Sequence, residues 1–305
     1  MPIEAGVPSG EIAAAPRPSD PHRRVRQPGP AAAERIDSVE GVAERFEVDL
    51  PAGGNLIEAI RSSLERTSCT SAVLQLRGGG FSPFTYVMPA LSMTPDHAAY
   101  YSELLSPPGL TRLEAGAVTF GLRDGGPFLH CHGIWIEANG RRLGGHVIPD
   151  ASIIAQPIAA TVFALDGIDF VARPDSETNF KIFGPLKKPR GALLGRRCFA
   201  LRLRPNQDIC GALETFCRKN DIKTAALYGG VGSIIGAVFE NGKIVEPFAT
   251  EIFFKSAGIE GRGGHPEASL DIGLVDYTGA LAEGILRRGA NPVLMTVELL
   301  LIEGD

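Results

Sequence analysis

From Phe46 onward the chain is patterned in short apolar and polar runs, and one run occurs twice. Val48-Asp49-Leu50 alternates, passes through Pro51-Ala52-Gly53-Gly54, and meets Asn55 just before Leu56-Ile57-Glu58-Ala59-Ile60. Leu201-Arg202-Leu203 leads in the same way through Arg204-Pro205-Asn206-Gln207 to Asp208 and Ile209-Cys210-Gly211-Ala212-Leu213. In both places the alternation predicts a strand. The Asn or Asp predicts a capped, amphipathic helix, because its side-chain oxygen can accept from the free N–H groups of the first turn. The two runs lie 153 residues apart, and that offset holds as far as Gly79 and Gly232. Further on, Pro127/Pro266, Gly140/Gly279 and Gly145/Gly284 are 139 apart, which marks a 14-residue insertion in the first copy between Gly80 and Pro127. The insertion holds Ser92-Met93-Thr94-Pro95-Asp96-His97 followed by Ala98-Ala99-Tyr100-Tyr101, predicting a helix start with Pro at an early position. It reads equally as a pocket wall or as a surface elaboration.

The most informative stretch is Pro127 to Ile148, which contains His130, His132 and His146. Residues i and i+2 of a strand share a face, so His130 and His132 present two imidazoles side by side. Cys131 between them points the other way, as a core thiol. Glu137-Ala138-Asn139-Gly140 predicts a turn and Arg141 to Ile148 a returning antiparallel strand. Two turns compete. A two-residue Asn-Gly turn pairs Gly133 with His146 and separates the histidines onto opposite faces. A type I turn with Gly140 in the left-handed conformation pairs Glu137 with Arg141 and His132 with His146, which gathers all three imidazoles. Three neutral imidazoles with a coordination position left open form the ligand set of a catalytic or exchangeable zinc site. At the 139-residue offset these histidines fall on Ser269, Asp271 and Ile285, so the second copy cannot rebuild the site.

Other motifs carry less. Gly229-Gly230-Val231-Gly232-Ser233 follows a strand like a phosphate-binding loop, but Ile234 to Val245 alternates around Glu240-Asn241-Gly242 as a hairpin and opens no helix. His265 sits in a Gly-Gly-His-Pro loop and reads as a surface residue.

A length of 305 residues suits two domains, and 44% apolar content is that of a globular protein. The formal net charge of −5 argues against a general nucleic-acid surface. No apolar run reaches the ~20 residues that span a bilayer. Residues 1–36 are rich in Ala, Pro and charge and read as a disordered tail without a secretory signal. Cys69, Cys131, Cys198, Cys210 and Cys217 show neither zinc spacing nor an even count, which suits a reducing cytoplasm. Residues 181–197, rich in Pro, Gly, Lys and Arg, read as a solvated basic linker between domains at 37–180 and 198–305.

Phe128-Leu129-His130-Cys131-His132, Asn139-Gly140-Arg141, Gly144-Gly145-His146 and Arg173-Pro174-Asp175-Ser176-Glu177-Thr178-Asn179-Phe180 resemble the PPC (plant and prokaryote conserved) family. Asp208 to Asn220, Gly230-Val231-Gly232-Ser233 and Thr296-Val297-Glu298 look like the same family with its histidines lost, and together the copies cover roughly residues 40 to 305. The resemblance implies an α/β (α+β) fold of two PPC-like domains, each an antiparallel sheet wrapped against a helix, and a homo-oligomer, a trimer. It supports one zinc per chain at His130, His132 and His146. The wider superfamily includes acetolactate decarboxylase, a zinc enzyme, an analogy of fold alone. In plants the domain follows an AT-hook, whereas the tail here reads Arg23-Arg24-Val25-Arg26-Gln27-Pro28 without Gly-Arg-Pro, which argues against DNA binding. The first copy has Ala159 where the second has Glu298, so any role of that glutamate is not carried over to the histidine site. The expected function is a cytoplasmic metal-binding module acting through assembly and partners, with no membrane attachment. The alternative is a zinc-dependent hydrolase or lyase on a small oxygen-rich ligand, with Arg77, His97 and Tyr100 as candidate pocket residues.

Overall fold

The computed structural model describes residues 23–304 and is almost entirely antiparallel sheet. The first half opens with β1 (Ile36–Leu50), α1 (Leu56–Leu64) and β2 (Ala72–Arg77). Four two-residue strands follow, β3 (Gly80–Phe81), β4 (Tyr86–Val87), β5 (Pro89–Ala90) and β6 (Tyr100–Tyr101). Three longer strands form a meander, β7 (Thr111–Arg123), β8 (Gly126–Ile136) and β9 (Arg142–Val147). The half closes with β10 (Ile154–Gln156), β11 (Ile158–Asp166), β12 (Ile168–Pro174) and β13 (Lys181–Lys187).

The second half repeats this order with fewer breaks. It runs β14 (Arg196–Leu203), α2 (Ile209–Lys219), β15 (Ala225–Val238), β16 (Ile244–Arg262), β17 (His265–Asp276), β18 (Leu281–Ile285) and β19 (Val293–Glu303). Both helices start where the sequence places them, with Asn55 accepting from Glu58 N at 2.9 Å and Asp208 from Gly211 N at 2.8 Å. Each helix buries its apolar stripe against its own sheet, Leu56 and Ile60 in one half and Ile209 and Leu213 in the other.

Two features join the halves. β1 is shared: Val42–Leu50 pair with β11, while Ile36–Ala43 pair with β14. Apolar side chains also interleave between the sheets, with Val73, Phe163 and Leu165 against Tyr228, Leu300 and Ile302, and Ala117 and Ile134 against Val231 and Phe253. Phe163 and Tyr228 stack at 4.0 Å between ring centroids. This contact sets one half's β8 against the other half's β16.

Four expectations change. Residues 23–35 are not a loose tail: Arg23 and Gln27 are buried and donate to the carbonyls of Ala290 and Leu294, and Arg35 forms a two-pronged pair with Glu177. The remainder of the expected tail, residues 1–22, lies outside the described residues. The basic linker is shorter than expected, because Lys181–Lys187 is a strand paired with β12 and only residues 188–195 connect it to β14. Several of its charges have partners, Lys181 with Asp124, Lys188 with Asp169, and Arg197 with Glu40 and Glu303. The insertion forms no helix. Ser92 Oγ donates to Thr94 O in a turn, and Tyr100–Tyr101 pairs with Pro89–Ala90, so the backbone groups a helix would use are engaged elsewhere.

The Gly229–Ser233 segment lies inside β15, where Gly230 adopts φ +63° against the Phe254 ring, and so is no phosphate loop. Among the described residues all five cysteines are free thiols. No described helix is long and apolar enough to cross a membrane.

Candidate metal centre

The turn decides the site. Glu137 N donates to Arg141 O and Gly140 N to Glu137 O, both at 2.9 Å, with Gly140 at φ +85°. This is the type I turn with a left-handed glycine, which a Cβ would disfavour. It sets His132 opposite His146 across β8 and β9. The opposite face of β8 carries Leu129 and Cys131 into the core under α1, and burial pushes the Cys131 thiol up to about 12.

His130 Nε2 and His132 Nε2 are 3.1 Å apart, and His132 Nε2 and His146 Nδ1 are 3.3 Å apart. One ligand atom from each histidine lies within 4.8 Å of the others. Nitrogens on a tetrahedral ion with bonds of about 2.0–2.1 Å sit roughly 3.3 Å apart, which matches the two spacings at His132 Nε2. The far side of each β8 imidazole fixes its tautomer. His130 Nδ1 donates to Glu298 Oε2 at 2.8 Å, and His132 Nδ1 donates to the Ile252 carbonyl at 2.9 Å. With both rings neutral, the two Nε2 atoms would face each other as lone pairs, an arrangement that a cation among them relieves. Burial, together with neighbouring His130, holds the His132 and His146 imidazoles well below their usual range and so keeps them neutral.

The first half has no glutamate of its own at this position, and Glu298 supplies one from the other half. The glutamate belongs to the second half, 168 residues from His130, and reaches it because the halves face each other. Glu251 comes the same way, its Oε1 3.7 Å from His132 Nε2, and burial pushes its carboxyl well above the usual carboxylate range. Glu251 left no signal in the sequence, since its counterpart at the 139-residue offset is Arg112.

The cluster opens on a cavity of about 670 Å³. Of the candidate pocket residues, His97 and Tyr100 line it. Arg77 does not: it is exposed at the end of β2, opposite Ala115 and Ala159. The 14-residue insertion is therefore a pocket wall, and it adds Tyr101, whose ring meets His146 edge-on at 5.3 Å. Phe180 joins the same wall from the Arg173–Phe180 motif. Asp175 pairs with Arg202 and Arg204, and Asn179, at φ +61°, donates to Asp96 O and so ties the motif to the insertion.

No curated protein matches the chain. Among solved structures, a PPC protein from Pyrococcus horikoshii is similar, with 17% identity and a TM-score of 0.39, covering 49% of this chain and 97% of its own. A metal-containing protein from Archaeoglobus fulgidus has 19% identity and a TM-score of 0.37, covering 47% and 94%. A Salmonella protein has 13% identity and a TM-score of 0.36, covering 48% and 96%. Residues 192–305, the half that brings Glu251 and Glu298 to the histidines, match the Plants and Prokaryotes Conserved (PCC) domain.

Proposed function

We propose that the chain binds one zinc ion through His130, His132 and His146, and that the ion serves a small-molecule site between two PPC-like halves. The observation that carries this is the pair of imidazole Nε2 atoms 3.1 Å apart, each ring held by a hydrogen bond on its far side. Zinc on three neutral imidazoles supplies Lewis acidity toward an oxygen donor. Glu298 orients His130 and increases its basicity, while Glu251 holds a carboxyl beside the cluster at the edge of the cavity. A site built only for assembly has no use for a cavity of this size, which favours the reading as a zinc-dependent hydrolase or lyase.

The role of Glu298 can be tested apart from the ligands. Competition against a chromophoric chelator should show zinc affinity weakened about 10–100-fold in Glu298→Ala and less in Glu298→Gln, which keeps an acceptor for His130 Nδ1. Unchanged affinity in both variants would remove the glutamate from the site.

For assembly, we propose a trimer of chains, favoured by the apolar side chains that the insertion leaves exposed, Leu91, Met93 and Leu104. Light scattering on the eluting peak should give three times the 32.3 kDa chain mass. A monomer across micromolar concentrations rules the trimer out.

A further inference from the structure

The rings beside the histidines form a continuous path. Tyr101 touches His146 and lies 5.9 Å from Phe180, Phe180 lies 5.8 Å from Tyr100, and His97 packs on both Phe180 and Tyr100 at 4.5 and 5.1 Å. Tyr100 and Tyr101 line the cavity and remain 49% and 39% exposed. Leu294 and Met295 of the second half also line it. At the inner end, Thr296 Oγ1 and Glu251 Oε2 are buried with no hydrogen-bond partner. Buried polar atoms of this kind call for a partner, and both belong to cavity-lining residues beside the histidines.

We infer that the cavity takes a flat aromatic molecule bearing two adjacent oxygen donors at one end, as in an aromatic hydroxy or oxo acid. The oxygens point to where the imidazoles converge, within reach of Thr296 and Glu251, and the ring lies along Tyr101 and Phe180. This rests on the zinc reading above and narrows it, because a small oxygen-rich ligand alone would leave the aromatic wall uncovered. Edge-on and offset ring contacts give such a molecule an advantage that an aliphatic analogue lacks.

The test is calorimetric titration of the zinc-loaded full chain with benzohydroxamate and acetohydroxamate, with zinc content measured on the same samples. Benzohydroxamate is expected to bind at least about tenfold tighter. In Phe180→Leu and Tyr101→Ala that ratio should fall to about threefold or less while zinc content stays at one per chain. Equal affinities for the two probes on zinc-loaded protein, or a ratio that neither variant moves, overturn the aromatic assignment alone. A chain that takes up no zinc overturns the metal reading and this one with it.

Discussion

Replacing His132 with Ala should reduce zinc from one ion per chain to almost none in untagged protein. His132 is the central member of the cluster, since its Nε2 faces both neighbouring ring nitrogens. Two remaining imidazoles cannot close a three-ligand site. The loss also appears in stability. A ligand that binds only the folded chain stabilises it by about 4 kcal/mol at a thousand times its Kd. Zinc should therefore raise the thermal midpoint of the wild type by several degrees and leave that of His132→Ala unmoved. His132→Asn is the control for packing, because its amide can still donate to the Ile252 carbonyl. If either variant keeps one zinc per chain, the ligand assignment is wrong.

The second large effect lies away from the cavity, at Asp175. This carboxylate accepts from Arg202 and Arg204 through Oδ2, at 2.8 and 2.9 Å, and from Thr178 N and Oγ1 through Oδ1, both at 3.0 Å. Burial pushes its carboxyl up, but the Arg202 guanidinium and the Thr178 donors outweigh that and bring it from 3.8 to about 2. Arg202 is only 4% exposed, and its Nε and Nη2 already lack partners, so Asp175→Asn leaves a buried cation poorly compensated. Breaking a buried pair by removing one partner costs about 3–5 kcal/mol, to be read from urea unfolding near neutral pH.

The pH dependence has a definite sign. A carboxyl whose folded value lies below its unfolded value stabilises the fold where both states are ionised, above 3.8 here. The stabilisation, about 2 kcal/mol from the size of the shift, is lost as pH falls from 3.8 toward 2. The gap between wild type and Asp175→Asn should therefore narrow over that window. A gap that stays constant through it would mean that the carboxylate's charge contributes nothing.

The sequence by itself determined whatever depends on near neighbours. Alternation and a capping Asn or Asp predicted the strand-to-helix starts at Asn55 and Asp208, because a cap needs only an oxygen and the N–H groups of the next turn. The spacing of His130 and His132 put two imidazoles on one face, since strand geometry has a period of two. The internal offset located the insertion. The third histidine was half legible: two turns were open, and the structure has the one in which Gly140 takes a positive φ.

What remained hidden depends on how the two halves meet. Local pattern is silent on which residues lie across an interface, because packing couples positions with no fixed separation along the chain. Glu298 was read as belonging to a copy without histidines, yet it is the partner of His130. Arg77 seemed a pocket residue and faces outward, while in place of the insertion's expected helix a turn and the short strand β6 carry Tyr101 to His146. The ligand set is thus a property of one hairpin. The carboxylates, the cavity and its aromatic wall exist only because β16, β19 and the insertion close over that hairpin, driven by apolar burial between the halves.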